Sequence, residues 1–328
     1  MKKGKVKSLI AVVMVGVLML SGCTNSGSKA SSKAQKYTIG ISQLSEHPAL
    51  DDARLGFIDG LKELGVDAEI IYQNAQGEIP NTLSIAQKFV KDEVDLIYAI
   101  ATPAAQSAKQ ATDDIPVLFS AVTDPVKSGI VQDWNNVGGN VTGTSDLAPT
   151  KSQLQMFEQI DPNIKKIGIL YNTGENNSEV QIDEVKSLAP DEGLEITTVG
   201  VTNTNEIPQA LDSLLKKVDA VYILSDNLVA SSVELVSKKL VENKMISVSA
   251  EETQVRGGIL ITNGLSYYEL GKQTAQMAKE ILIDKKDVPT IPVGIAEKTI
   301  NTVNIKTLKD LGLNENLEIF KNAEKVGN

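Results

Sequence analysis

The chain has 328 residues, enough for two domains of ordinary size, with 41% hydrophobic and 23% charged residues and a formal net charge of -10. That acidity argues against nucleic acid as a partner. A single cysteine, Cys23, excludes an intramolecular disulfide, and a single histidine, His47, leaves no material for a His/Cys metal site or a His-based triad; a carboxylate-only Ca or Mg site is the alternative, but no EF-hand-like acidic run appears, and no metal or cofactor is expected.

Residues 1–22 read as a secretory signal: four lysines, then an apolar run from Leu9 to Leu20 too short to span a membrane. The sequence Leu20-Ser21-Gly22-Cys23 resembles a bacterial lipobox, in which Cys23 is lipidated and becomes the mature N-terminus. An ordinary signal with a coincidental cysteine is the alternative. It is disfavoured because the chain's only cysteine sits there. Residues 23–36 are small and polar and read as a lipidated, flexible tether. The body is therefore expected outside the cell membrane, held to it by lipid on Cys23, where ATP or NAD chemistry has no place.

From Tyr37 onward the body is written twice. "YTIGISQ" opens the first copy and "KKIGILY" the second; each is followed by a helical stretch and a further strand. Glu-Ile-Pro then recurs at 78–80 and 206–208, each proline opening a helix. Those helices lead to "VDLIYAIATPAA" and "VDAVYILSDNLVA", and later to "IPVLFSAVTDP" and "KMISVSAEETQ". Strands alternating with helices predict an α/β protein of two doubly wound parallel-sheet lobes. Right-handed crossovers put every strand end of a lobe on one edge, and ligands bind outside those carboxyl ends. Crossings near Asp146, near Asn263 and near 291–297 would make a hinge of several strands. They assign 37–146 plus 263–292 to lobe 1, and 147–262 plus 293–328 to lobe 2.

The runs "IATPAAQSA", "IPVLFSAVTDPV", "NVTGTSD", "GILYNTGENNSE" and "SDN", with the lipobox, resemble the tryptophan/tyrosine-type ABC-transporter substrate-binding lipoproteins. The likeness runs from Tyr37 to about Leu313. It implies a type I periplasmic-binding-protein fold, and a monomer that hands its ligand to a membrane permease driven by a separate ATPase. An aromatic amino acid is the ligand the resemblance favours.

A free amino acid needs donors for its carboxylate and an acid for its ammonium. The chain has only two arginines, Arg54 and Arg256, so helix N-termini are the expected anion sites. One is Thr102-Pro103-Ala104-Ala105, with Thr102 placed as N-cap and Pro103 as first helical residue. The other is Asn176-Asn177-Ser178. Each could equally be a plain helix start. Asp226 aligns with Thr102 in the repeat and is the first choice for the ammonium, with Asn227 beside it. A capping Asp is the competing reading. Thr123-Asp124 and Glu251 end a later pair of strands, Gln43 and Leu44 are expected in the wall, and Thr144 and Asn263 at the hinge or on the ligand. His47 is expected to be a loop residue. Competing functions are a binding protein for a sugar, nucleoside or other small solute, an extracellular α/β enzyme, and a regulator on the same fold. The enzyme is disfavoured by the lack of a thiol in the body and of G-x-S-x-G. The lipobox and the lack of an N-terminal helix-turn-helix disfavour the regulator. A surface role such as adhesion could accompany transport.

Overall fold

The structure, a computed structural model, describes residues 36–296 and 298–327; the signal, Cys23 and the tether up to residue 35 lie outside them. The first lobe begins β1 (Tyr37–Gln43), α1 (Pro48–Glu63), β2 (Ala68–Asn74), α2 (Ile79–Lys91), β3 (Leu96–Ile100), α3 (Thr102–Ala111), β4 (Val117–Ser120), β5 (Val141–Ser145). The second follows as α4 (Thr150–Ile160), β6 (Lys166–Asn172), α5 (Asn176–Leu188), β7 (Glu195–Val201), α6 (Ile207–Leu214), β8 (Ala220–Ile223), α7 (Asn227–Ala230), α8 (Val233–Glu242), β9 (Ile246–Ser249), α9 (Glu252–Arg256), β10 (Ile261–Gly264). The chain ends with α10 (Tyr267–Leu282), β11 (Gly294–Ile295), β12 (Ile300–Asn304), α11 (Ile305–Leu311), α12 (Glu318–Lys321) and β13 (Glu324–Val326).

Two sheets form, in the orders β11-β5-β4-β3-β1-β2 and β13-β12-β10-β9-β8-β6-β7. All pairings in the first are parallel. The second departs from the expected parallel plan at one place: β12 runs antiparallel to β10. The return has a physical reason, because the chain re-enters this sheet from the hinge rather than through a crossover helix.

Both sheets are covered on both faces, which is why their strands are unbroken apolar runs. In β3, Leu96, Tyr98 and Ile100 join one core while Ile97 and Ala99 join the opposite one. In β8, Ala220 and Tyr222 face one core and Val221 and Ile223 the other. The repeated Ile-Gly-Ile has a packing cause. A Cβ on Gly40 would lie 2.6 Å from the Phe89 ring of α2, and one on Gly168 would lie 2.9 Å from Leu214 of α6. Each glycine admits the crossover helix that follows Glu-Ile-Pro, whose proline is the second helical residue in both copies.

The chain passes between lobes after β5, after β10 and before β12. Helix α4 is held on the second sheet by Gln153, whose Nε2 donates to the carbonyls of Ala250 (3.1 Å) and Asn263 (2.7 Å). Helix α10 returns to the first lobe and packs on α1 at close range: a Cβ on Gly271 would meet the Ala53 carbonyl at 2.1 Å, and one on Gly56 the Tyr268 carbonyl at 2.0 Å. Two boundaries differ from those expected. Asn263 lies in β10, within the second sheet, and Gly294 and Ile295 pair with Thr144 and Ser145 in the first.

Candidate binding site

The strands of the first lobe stop at strained corners. Ala101, directly after β3, has φ 85° and ψ 154°, and Ala121, directly after β4, has φ 58°. Such backbone costs about 1–3 kcal/mol per residue and concentrates at ligand sites. Opposite them lie the ends of β8 and β9. Ala121, at the second of these corners, and the ends of β8 and β9 border a cavity of about 10 Å³, which Ala101 and the α3 N-terminus do not line. That is room for about one water molecule, far below the roughly 300–1,000 Å³ of an occupied ligand site, so a solute enters only as the lobes part. None of its twelve lining residues is lysine or arginine; three, Asp146, Asp226 and Glu251, are carboxylic acids.

The second-lobe wall is preorganised by buried carboxylates. Asp226 caps α7 by accepting from Val229 N (2.9 Å), and its other oxygen accepts from Asn172 N (2.6 Å) and Ser178 Oγ (2.6 Å). Glu175, buried behind it, accepts from Leu228 N (3.2 Å), Asn227 N (3.2 Å) and Asn227 Nδ2. Burial and the neighbouring Glu175 push the Asp226 carboxyl well above the ordinary carboxylate range. Glu251 caps α9 through Thr253 N (2.6 Å) and Thr253 Oγ1, and burial pushes it up to about 7.

Some polar atoms of the wall have no partner. Tyr267 donates to Asp146 Oδ2 (2.5 Å), leaving Asp146 Oδ1 buried and unpaired. Gln254 donates through Nε2 to the Leu224 carbonyl (2.8 Å), leaving Oε1 unpaired. His47 spans the lobes: its Nε2 lies 3.1 Å from Asn227 Oδ1, and its Nδ1 has no partner. Because Asn227 Nδ2 is given to Glu175, its Oδ1 is an acceptor, so His47 carries its proton on Nε2. Burial lowers the His47 pKa and keeps the ring neutral at neutral pH. Three unpaired acceptors therefore belong to residues of this wall.

The expected residues divide. Asp226, Asn227 and Glu251 line the cavity, but the oxygens of Asp226 and Glu251 are already used by the chain. Asn177 and Ser178 stand one layer behind, Asn177 Nδ2 holding the Ser225 carbonyl (2.9 Å). Asn176 starts α5, and its Oδ1 is buried without a partner.

On the other side, Thr102 is not the N-cap. Ala101 takes that position and Thr102 is the first helical residue, its buried hydroxyl unpartnered; Pro103 is second. The side chains of Ala104 and Ala105 are core. Thr123 is buried, its carbonyl accepting from Ser145 Oγ (2.7 Å). Asp124 closes its own turn on Val126 N (3.1 Å) and Lys127 N (2.9 Å).

Four further positions are corrected. Gln43 is spent inside lobe 1, donating to Ser45 O and Asp51 and accepting from Arg54 Nε (3.0 Å), and Leu44 is core. Thr144 belongs to a buried hydroxyl trio with Ser120 and Thr274 (2.7–2.8 Å) that seats α10. Asn263 donates to Asn301 Oδ1 (2.6 Å) at a separate outer depression. Neither arginine reaches the cavity: Arg54 pairs with Asp51, and Arg256 with Glu252. The wall residues not foreseen as ligand contacts are His47, Asp146, Ser225, Gln254 and Tyr267, with the apolar Ala49, Leu50, Ala121 and Ala230. The only available signals were the lone histidine before a helix and an aspartate at an expected lobe crossing. Among the described residues no cluster of three or more His, Cys, Asp or Glu could hold a metal ion, and no helix is long and apolar enough to cross a membrane.

Two parallel-sheet lobes joined by three crossings, with a small enclosed cavity at their facing strand ends, define a two-lobed solute-binding protein of the type I periplasmic class. The family model described as ABC transporter substrate binding protein matches residues 38–327, and the chain belongs to that family. Its members bind a transporter's substrate outside the cytoplasm. A protein named Tyrosine-binding protein from Clostridioides difficile is 43% identical, over 99% of this chain and 98% of its own. A Streptococcus pneumoniae domain solved in complex with L-Trp is 32% identical, with a TM-score of 0.85 over 89% of this chain and 100% of its own. A ligand-free, open substrate binding protein with adhesive properties from Clostridium difficile is 42% identical, yet its TM-score is only 0.68 over 88% of this chain and 99% of its own.

Proposed function

We propose that this chain is the solute-binding lipoprotein of an ABC importer and takes a free aromatic amino acid between its lobes. The observation that carries the reading is the enclosed interlobe cavity, its acceptors buried and unpaired in a wall otherwise satisfied. An unpaired buried polar atom costs about 1–3 kcal/mol, a cost that a ligand with several N–H donors removes. The lobe arrangement supports the same reading. It is nearer to the L-Trp complex than to the ligand-free open structure, although the open protein is the more similar in sequence. Closure around a bound solute is the expected working motion, and His47 to Asn227 is a contact made across it.

The names of the two relatives favour tyrosine or tryptophan. The α3 N-terminus, free of acids in its first turn, is the expected carboxylate side; the cavity's acids, Asp146 at the lobe crossing and Asp226 and Glu251 of the second lobe, mark the ammonium side. Lipid on Cys23 would hold the protein to the membrane, beside its permease and separate ATPase. The body works as a monomer and carries out no catalysis. Thermal denaturation with each of the twenty amino acids, sugars and nucleosides tests the function. Tyrosine, tryptophan or phenylalanine raises Tm. No shift with any aromatic amino acid, or a shift only with sugars or nucleosides, would overturn the ligand assignment.

A further inference from the structure

Resting on that reading and deepening it, we propose that Asp146 is the receptor for the ligand's ammonium group, and that the site selects primary arylalkyl ammonium ions, with or without a carboxylate. Asp146 is 3% exposed, yet Tyr267 engages only its Oδ2. Its Oδ1 is the one unpaired carboxylate oxygen on the cavity wall: Asp226 spends both oxygens on the chain, and Thr253 holds both of Glu251. Asp226, first choice from the sequence, is thereby replaced. A buried carboxylate with one empty side is destabilised unless a cation or donor reaches it. No lysine or arginine lines the cavity, and His47 is neutral, so the chain's own wall residues supply no cation. A ligand's ammonium would bring it; without one, burial holds the Asp146 carboxyl above the ordinary carboxylate range.

Gln254 Oε1, 1% exposed and unpaired, and His47 Nδ1 are two more acceptors in the same wall. An R–NH3⁺ group carries three donors and no acceptor, the complement of such a set. The Tyr267 hydroxyl fixes the Asp146 carboxylate and so acts as a positioning residue. The carboxylate of an amino acid meets no lysine or arginine among the lining residues. Its loss is therefore tolerated better than loss of the ammonium.

The test is calorimetric titration of the purified chain with three compounds sharing one ring: L-tyrosine, tyramine and 3-(4-hydroxyphenyl)propanoate. Tyramine binds within about tenfold of tyrosine, and the propanoate, lacking the ammonium, on the order of 100-fold more weakly. The near-isosteric Asp146→Asn weakens both amines on the order of 100-fold, leaves the propanoate unchanged or tighter, and keeps the unliganded Tm. That exchange of preference is something a merely structural role would not produce. Tyr267→Phe gives a smaller loss of the same sense. Tyrosine binding without tyramine binding, a propanoate as tight as tyrosine, or unaltered amine binding by Asp146→Asn would each overturn the proposal while leaving the amino-acid function intact. Tyramine without tyrosine would uphold it and sink the amino-acid reading. Binding of none of the three would overturn both.

Discussion

The lobes repeat one another in sequence and differ where they face each other. The corner after β3 is built from Ala101, Thr102 and Pro103, with no acid and a hydroxyl left unpaired. The corresponding corner after β8 carries Asp226, backed by Glu175, each accepting several donors. One corner starts its helix with no acid in the first turn; the other spends its N-termini on its own carboxylates. The same βα unit thus carries no acid in one copy and a sealed acidic cluster in the other.

The largest effect that probes this difference should come from exchanging the corner residues for alanine. Asp226→Ala removes the acceptor of three buried donors and should cost about 3 kcal/mol in denaturant unfolding. Thr102→Ala, whose hydroxyl has no partner, should stay within about 0.5 kcal/mol. Equal costs at the two sites would erase the contrast.

The lobes can next be compared through their crossover helices. Gly40→Ala drives a methyl into a rigid aromatic ring and should cost about 2 kcal/mol, whereas Gly168→Ala meets branched side chains that can shift and should cost about 1. Chemical denaturation of the two variants measures this, and a larger loss at Gly168 would contradict it.

Acidity sharpens the comparison further. The folded pKa of Glu251 is raised to about 7, above its unfolded value. Its favourable contribution is therefore complete below about pH 4.5 and is lost as pH rises through 7. Glu251→Gln should be more stable than the parent at pH 8, by on the order of 1–2 kcal/mol, and the gap should narrow as pH falls and close below about pH 4.5. A pH-independent difference would show that the group is not titrating in this range. Smallest is the contact that joins the lobes. His47→Ala should lower ligand affinity about fivefold by removing one neutral hydrogen bond. Each lobe's own unfolding should be unchanged.

Much of the fold could be read from residues alone. Repeated Ile-Gly-Ile, Glu-Ile-Pro and Val-Asp segments each mark a strand or helix start in both copies, because crossover packing constrains every such unit alike. The cavity was less legible for the same reason. Aligning Thr102 with Asp226 treats them as equivalent, but whether a polar atom is free depends on partners such as Asn172 and Ser178, far away in sequence. Asp146, Tyr267 and His47 come from the hinge and from an unrepeated helix start, outside the pattern that revealed the lobes. Thr144 shows the converse. Placed beside a crossing, it serves only to seat α10.

The exchange of segments between lobes also sets an order of events in making the protein. The first sheet runs from β1 to β5 early in the chain, but α10 and β11, which cover and extend it, are encoded after nearly all of the second lobe. At ribosomal speeds of about 5–20 residues per second, roughly 6–24 s separate the synthesis of Ser145 from that of Tyr267. Throughout that interval Ala53 and Phe57 lack the helix they pack against, and the second sheet still lacks β12 and β13. The first sheet is complete only once β11 is made and the second only with β13, so a nascent chain of this design stays loose until its synthesis is nearly over.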